Sequence, residues 1–501
     1  MDSRRIPLEG LPSEVFDLVY QHVPRKDLAR LSRTSRYFWI STAPHIWNTT
    51  VNAIDLISAF PTAVRTKGNG QRAWKPYANN IQCIQRCYTR FAFYAQHVTG
   101  VQFTSLGSLY NVDMAQQWRW LNWALDYTAS RPFRSKMRTL TLHLDNPKDY
   151  TFEGLSWLGL FMSPLLETFR ITTGPRTLEM LSSSRGFLMH VSRKILDGCA
   201  SLKCLDVPST WLDRPTLAWI SEHTSLESLV LRGSFSYNEL PNIFLPALRK
   251  LEIQDDSITS VEELWETPLV VRLKCVIVSV EHFGRRDSFP QLLQLIAARS
   301  TGLEALSIPL PSANFHISLL NNLRSLALQR FALTKALRPG TRCPELLEHI
   351  GALWHGLEYL AIPFDVSADD LLSIASKLTR LRHLVTGIMF GDISSSTRAI
   401  HTQWRSSPKH ELVLWTSSIS LDRFEEDLMK PGFDQLAGLL AAAWPGMRLF
   451  VESDGMYYEC LKKEIASHSQ RIVKWELGSN TLGPNARGRI DVKEMWAYIE
   501  G

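Results

Sequence analysis

The side chains that could do chemistry in this chain are scattered along it and form no catalytic motif. The 501 residues contain no GxxxxGK followed by Ser or Thr, no HExxH and no GxSxG string. A glycine-rich run at 68–70 lacks the third glycine and the strand-to-helix context of a dinucleotide site. Proton relays and metal sites need clustered histidines, whereas these are dispersed: His143, His223, His282, His316, His355 and His383. We therefore predict no catalytic residues, and an enzyme acting on a small ligand is the least favoured function.

Two cysteines come nearest to a metal site. Cys83 and Cys87 are four residues apart and could share a helix face as ligands, but no second Cys or His pair at suitable spacing lies nearby. The seven cysteines are odd in number and widely spaced, which favours free thiols in a reducing compartment. We expect structural thiols, no metal, no cofactor, and a location in the cytoplasm or nucleus.

Composition predicts a soluble globular protein. Hydrophobic residues make up 45% of the chain and charged residues 21%, and the net charge of +6 is too small for a nucleic-acid-binding stripe. Glu9, Glu14 and Asp17 interrupt any apolar stretch of a secretory signal, and the apolar run 436–444 is too short to cross a bilayer. We expect neither nucleic acid nor membrane as a partner.

The first fifty residues predict three short helices. In the first, Pro12 occupies the opening turn, Pro24 ends the helix, and the apolar residues follow helical spacing: Leu11, Val15, Leu18, Val19 and Val23. Asp27 is a candidate N-cap for the second helix, Thr34 or Ser35 for the third, and Pro44 is expected to end the third. These two helices carry Leu28, Leu31, Phe38, Trp39 and Ile40, with Ile46 and Trp47 following.

The apolar side chains of these three short helices are more than the helices can bury among themselves. Two explanations stay open: the excess contacts another protein, or it packs against the remainder of this chain. A cationic cluster has two explanations as well, since it could steer an acidic partner or form a solvated helix face. The cluster consists of Arg25, Lys26, Arg30, Arg33 and Arg36.

The run from Gly10 to Trp47 resembles an F-box. The resemblance is carried by Leu11-Pro12, Glu14-Val15, Asp27-Leu28, Leu31-Ser32, Ser35-Arg36, Trp39, Pro44 and Trp47. It implies docking to the Skp adaptor and, through it, to a cullin-RING ubiquitin ligase. The adaptor-facing candidates that it implies are Leu11, Pro12, Val15, Leu28, Leu31, Ser35, Arg36, Trp39 and Trp47.

A recurrent leucine pattern predicts a repeat array from residue 98 to 478, after a connecting and capping segment at 51–97. Leu followed by a charged residue, any residue and Leu recurs far more often than chance allows, and helical stretches begin between the repeats at Ser260 and Ser367. Candidate repeat starts are Val98, Met137, Leu166, Leu202, Leu226, Leu248, Leu273, Leu303, Leu323, Leu357 and Leu381. Strand then helix at these periods predicts an α/β leucine-rich-repeat-like solenoid, with a doubly wound α/β domain as the alternative.

The predicted fold class is therefore α+β, with a three-helix F-box at 1–50 followed by the solenoid. Possible last strands lie at 411–415, 447–452 and 471–477, followed by a loop and a C-terminal capping helix within 479–501. An F-box followed by irregular leucine-rich repeats is similar to F-box/leucine-rich-repeat proteins, which implies a substrate receptor.

Strand alternation predicts which side chains would meet a substrate. The residues between the buried leucines point to the concave face, and their chemistry is mixed. They are Thr139, Thr141, His143, Ser228, Val230, Arg232, Lys250, Glu252, Gln254, Ser325, Ala327, Gln329, His383, Val385 and Gly387. From these we select as substrate-binding candidates Thr141, His143, Arg232, Lys250, Glu252, Gln254 and His383.

The function predicted from the sequence is a substrate-recognition subunit of an SCF-type ubiquitin ligase. In this hypothesis the F-box binds the Skp adaptor, the solenoid binds an unidentified protein substrate, and other subunits catalyse ubiquitination before degradation. The alternative is a scaffold or regulatory protein that uses the F-box with the Skp adaptor alone, outside any ligase.

Overall fold

The structure is a computed structural model, and it divides into two compact units, Met1–Leu248 and Arg249–Gly501. The division falls within the predicted repeat region. The structure describes residues 12–53, 56, 63–65, 74–76, 89, 91–103, 136–144, 161, 163–173, 199–209, 218, 220, 221, 224–233, 244–282, 288–311, 316–334, 344–389, 413–416, 419–420 and 448–451. Several predictions lie outside these residues, namely those on Leu11, Cys83, Cys87, the strand at 471–477 and the segment 479–501.

The first unit begins with the three predicted helices, α1 (Ser13–His22), α2 (Arg25–Leu31) and α3 (Arg36–Trp47). Pro24 ends α1 as predicted and is also the N-cap of α2, because its extended backbone cannot continue the first helix but can open the second. Asp27 is therefore not the N-cap. It lies in the first turn of α2, where it forms an ion pair with Arg30 at 2.9 Å.

The third helix begins as predicted but does not end there. Ser35 is its N-cap, and the Ser35 hydroxyl accepts a hydrogen bond from the Phe38 N–H at 3.2 Å. Pro44 lies inside α3 instead of ending it, since a proline removes only its own donor while its carbonyl still accepts from the Asn48 N–H at 2.9 Å.

The helical bundle has a small aromatic core of its own. Phe16, Tyr20, Leu28 and Phe38 are buried together, with Val23, Leu31, Tyr37 and Ile46 packed against them. The Phe16 ring centroid lies 5.5 Å from that of Tyr20 and 5.9 Å from that of Phe38. Such aromatic pairs stabilise a core by more than the burial of their apolar area alone. The three helices therefore pack as one body around α1.

Two tryptophans pack this bundle against residues 93–94 of the same unit. The indole N–H of Trp39 donates to the Tyr94 hydroxyl at 2.7 Å, and its ring lies 4.5 Å from Phe93. Trp47 stacks near Tyr94 at 5.0 Å. Part of the apolar excess is thus used within the chain, as the second of the two explanations predicted.

The strands of the first unit form an open parallel sheet in chain order. Its neighbouring pairs join β1 (Thr50–Asn52) to β4 (Gly100–Phe103), and then β4 to β5 (Thr139–Leu144), β6 (Thr168–Thr173), β7 (Cys204–Pro208) and β8 (Ser228–Arg232). Separately, β2 (Ala63–Arg65) and β3 (Trp74–Pro76) form an antiparallel pair. Parallel pairing of consecutive strands is solenoid-like.

The second unit repeats this arrangement with helices visible between the strands. Its strands, each parallel to the next, are β9 (Lys250–Ser257), β10 (Cys275–His282), β11 (Ala305–Pro309), β12 (Arg330–Thr334), β13 (Tyr359–Val366), β14 (His383–Met389), β15 (Val413–Thr416) and β17 (Arg448–Val451), with β16 (Ile419–Ser420) beside β14. Its helices are α4 (Ile258–Trp265), α5 (Ser288–Arg299), α6 (Pro344–Leu353) and α7 (Ala368–Lys377), and 3-10 turns span Pro268–Val270 and Ile317–Leu323.

The sequential strand order contradicts the doubly wound alternative, in which the strand order reverses at a switch point. The strands predicted at 411–415 and 447–452 are confirmed as β15 and β17. Ser367 forms the predicted capping box with Asp370. Ser260 does not start α4, because Ser257 is already the N-cap and its hydroxyl accepts from the Thr259 N–H at 3.3 Å.

The repeat starts are confirmed except at one position. All are buried, and ten of the eleven lie two residues before a strand. The exception is Leu323, which ends a 3-10 turn, so that the next strand begins at Arg330, two residues after the buried Leu328. Ser325, Ala327 and Gln329 are consequently exposed residues outside the strand, and Arg330, Ala332 and Thr334 occupy the positions predicted for them.

The charged residue of the leucine pattern has a structural role. In most repeats it immediately precedes the strand, and its carbonyl accepts from two successive N–H groups of the next repeat, as Arg138 does from Glu167 and Thr168 at 2.8 and 2.9 Å. Side chains at these positions pair between repeats: Arg138 with Glu167 at 2.8 Å, and Lys274 with Glu304 at 2.6 Å. Opposite charges on adjacent strands stabilise the pairing modestly.

Candidate functional site

The first candidate site is the outer face of α1. Val15, Leu18 and Val19 lie on one side of the helix and are 42%, 62% and 50% exposed, whereas Phe16 and Tyr20 on the other side are 6% and 2% exposed. An i, i+3, i+4 spacing places the three exposed residues together on the helix surface. The helix α1 therefore has two apolar faces, and only one is used by the bundle core. We call Val15, Leu18 and Val19 the outer α1 face.

Several residues that the F-box resemblance assigned to adaptor binding lie on the surface. Pro12 is exposed at the N-cap of α1, Val15 belongs to the outer α1 face, and Arg36 is exposed at the start of α3. Ser35 is half-buried as the N-cap of α3.

The other assigned residues have intramolecular partners. Leu28 is 2% exposed inside the bundle core, so a partner could reach it only if the bundle opened. Leu31 is half-buried against the same core, and Trp39 and Trp47 are half-buried against Phe93 and Tyr94. Leu18, Val19 and Ile40, which is 46% exposed, were not in the assigned set. Their helical spacing was visible in the sequence, but not the direction in which they point.

The bundle also carries unpaired positive charge. Arg25, Lys26, Arg33 and Arg36 are exposed and have no ion pair among the described residues. The carboxylates of Asp17 and Asp27 are already occupied, since Asp17 accepts from His45 at 2.9 Å and Asp27 from Arg30 at 2.9 Å. These four cations complement an acidic surface.

The second candidate site is one face of the first unit's sheet. Leu140, Leu142, Phe169 and Ile171 are fully or almost fully buried, and the residues alternating with them on β5 and β6 face the other way. Those residues are half-buried or exposed and all polar: Thr139, Thr141, His143, Thr168, Arg170 and Thr172. This set, together with Gln102 on β4, Asp206 on β7 and Arg232 on β8, is named the polar sheet face.

Hydrogen bonds order the polar sheet face. Arg232 holds the buried Asp206 through two parallel bonds, Nε to Oδ1 at 2.7 Å and Nη2 to Oδ2 at 2.8 Å. His143 bridges two strands, because its Nε2 lies 2.9 Å from Gln102 Nε2 and its Nδ1 contacts Thr172 Oγ1. Thr141, His143 and Arg232 were predicted from the sequence, whereas Gln102, Arg170, Thr172 and Asp206 were not.

The corresponding face of the second unit is different, because it is buried and largely apolar. Ile277, Ala305, Ala332, Tyr359, Ala361 and Val385 form a core cluster there. Among the predicted substrate-binding residues, Glu252 is only 6% exposed and accepts from Gln254 Nε2 at 2.7 Å. Lys250 is half-buried, and so is His383, whose pKa is lowered by burial and then by the nearby Arg382 and Arg330. These residues do not form an open binding surface.

Within the described residues, no group of three or more His, Cys, Asp or Glu side chains could hold a metal ion. No helix in that part of the chain is both long enough and apolar enough to span a membrane. Burial raises the pKa of the Cys199 thiol to about 12, so this cysteine is protonated at neutral pH.

No family model matches the sequence, and no curated protein matches it either. What the chain does must be inferred from the placement of its own residues.

Proposed function

We propose that the chain is the substrate-recognition subunit of an SCF-type ubiquitin ligase. The helical bundle binds the Skp adaptor, and the repeat region binds a protein substrate. The observation that carries this proposal is the outer α1 face: three apolar side chains at helical spacing remain in water on a bundle that already has a complete core.

Packing among the residues that the structure describes does not explain the outer α1 face. Phe16 and Tyr20 supply what α1 contributes to the bundle core, and Trp39 and Trp47 join the bundle to residues 91–98. Val15, Leu18 and Val19 do neither, and exposed apolar residues grouped on one helix face are typical of helix-in-groove recognition. The F-box resemblance of residues 10–47 names the Skp adaptor as the protein that offers such a groove.

The charge of the bundle adds a requirement for the partner. Arg25, Lys26, Arg33 and Arg36 favour an adaptor whose groove has an acidic rim. Exposed rim charges raise the rate of encounter more than the final affinity. The apolar face then supplies most of the binding free energy.

The receptor role adds no covalent chemistry of its own. Holding a substrate beside a ligase makes the transfer of ubiquitin effectively intramolecular, with effective concentrations that reach the mM range. The polar sheet face supports this role, because its hydrogen-bonding groups are ordered and all except the buried Asp206 are half-buried or exposed.

Capture of purified Skp-type adaptor by the full-length chain tests the proposal. Val19→Asp puts a charge on the outer α1 face and should abolish capture. Val271→Asp is the matched control, since Val271 is an equally exposed valine, 45% against 50%, in the second unit. Equal capture by both variants would refute this use of the face.

A second measurement separates the receptor from the alternative scaffold. The wild-type chain, purified from cells with intact ligase complexes, should carry the cullin as well as the adaptor. Adaptor without cullin would favour a scaffold that uses the adaptor alone.

A further inference from the structure

The polar sheet face contains one charged side chain that has no counter-ion among its described neighbours. Arg170 on β6 is exposed, and it lies beside Asp206 of β7 in the strand register. Asp206 does not pair with it, because both Asp206 oxygen atoms accept from Arg232 at 2.7 and 2.8 Å. Among the described charged residues of this face, Arg170 alone has no counter-ion.

His143 is held in the hydrogen bonds of the polar sheet face beside Arg170. Its Nε2 lies 2.9 Å from Gln102 Nε2, its Nδ1 contacts Thr172 Oγ1, and the Thr172 hydroxyl donates to the Leu142 carbonyl at 3.2 Å. Gln102, His143 and Thr172 therefore form an oriented polar surface beside the Arg170 guanidinium.

The extent of the polar sheet face suits an extended chain better than a small ion. Its residues occupy five consecutive strands from β4 to β8, and four spacings of about 4.8 Å give about 19 Å. An extended peptide covers that distance with about six residues. A small anion would contact Arg170 but leave the rest of the face in water.

We propose that the polar sheet face binds an extended peptide of about six residues, with one acidic side chain held by Arg170. A guanidinium offers a planar pair of N–H donors that fits two oxygen atoms of a carboxylate or a phosphate. The neutral groups of Gln102, Thr141 and Thr172 hydrogen-bond to the peptide on either side. This inference deepens the proposed function, since it gives the chemistry of the substrate segment.

The test uses the full-length chain and a displayed library of random hexapeptides flanked by Gly-Ser. Wild-type protein should select peptides with Asp or Glu at one fixed position. In the best selected peptide, replacing that acid by its amide should weaken binding to wild-type about tenfold or more, but to Arg170→Gln less than twofold. Replacing the acid by phosphoserine tests the second source of the anion, and its binding should depend on Arg170 in the same way.

Arg324→Gln removes another exposed arginine, which lies in the second unit, and should behave as wild-type. Absence of any selected peptide, or an acid preference that persists in Arg170→Gln, would overturn the inference. Adaptor capture is measured on the same variants. Arg170→Gln that still captures adaptor but shows no acid preference separates the two sites, whereas wild-type that selects acidic peptides but captures no adaptor contradicts only the proposed function.

Discussion

Leu18→Ala tests the proposal that the outer α1 face binds the adaptor. Leu18 is 62% exposed, and complete burial of a leucine side chain stabilises a complex by about 1.5–3 kcal/mol. The part still in water is therefore worth about 1–2 kcal/mol on docking, so the variant should bind adaptor about 5 to 30 times more weakly. Because most of the side chain already contacts water, the folding free energy should change by about 0.5 kcal/mol or less.

Phe16→Ala, on the other face of the same helix, should mainly lower the stability of the bundle. Phe16 is 6% exposed and contacts the rings of Tyr20 and Phe38, so its truncation should cost the bundle about 3–5 kcal/mol. Titration calorimetry with purified adaptor gives the affinity. Hydrogen exchange of the amides in α1 to α3 gives the local stability within the full chain, where a single unfolding transition cannot be assumed.

The two readouts decide whether α1 has two separate faces. Leu18→Ala that binds adaptor within twofold of wild-type would refute docking through this face. Leu18→Ala that loses as much exchange protection as Phe16→Ala would show that Leu18 belongs to the core. Val271→Ala, a truncation of an exposed valine in the second unit, should change neither quantity.

Three further outcomes are expected. Ser300→Ala should destabilise the second unit by about 1–3 kcal/mol, measured by hydrogen exchange of its amides, because the buried hydroxyl accepts from the Trp265 indole at 3.2 Å and also donates to a buried carbonyl. His383→Gln should remove part of the stability loss seen as pH falls below about 6.5: burial lowers the pKa of the native imidazole, so the unfolded chain takes up the proton first, and urea midpoints at pH 7.5 and 5.5 check this. Combining Arg33→Gln with Arg36→Gln should slow adaptor association in stopped-flow at about 50 mM salt but not at about 500 mM, with the dissociation rate unchanged.

The repeat register was predictable because ten of the eleven predicted repeat starts are buried residues two positions before a strand. Leu202, Leu226 and Leu248 lie two residues before β7, β8 and β9, and the charged residue after each leucine precedes the strand. The repeat start predicted at Leu323 was wrong, because the sequence there has the same leucine pattern but the chain forms a 3-10 turn. Which of two leucine patterns enters the sheet depends on the preceding turn and not on the pattern alone.

The direction of α1 could not be predicted from its spacing. Val15, Leu18 and Val19 form one apolar stripe, and Phe16 and Tyr20 form another on the same ten residues. Periodicity detects both stripes equally. The larger aromatic rings fill the space against Phe38, and this choice is made by packing across the bundle, which a single helix does not encode.

The difference between the two sheet faces was, by contrast, present in the strand sequences. TLTLHL and TFRITT in β5 and β6 alternate apolar and polar residues, as strands do when one face meets water. CVIVSVEH in β10 and YLAIPFDV in β13 begin with nearly continuous apolar runs, as strands do when both faces are buried.

For the proposed receptor function, the difference between the two sheet faces limits which strands are available to a substrate. Treating all strands alike placed Glu252 and His383 in the same class as Thr141 and His143, although the first two lie in a strand environment covered on both sides. A buried carboxylate is stabilised by hydrogen bonds from neighbouring side chains, as Glu252 is by Gln254, and it is poorly accessible to a ligand. Only where the alternation is strict does the sheet leave a row of polar side chains in reach of another chain, and among the described strands that holds most clearly for β5 and β6, which carry His143 and Arg170.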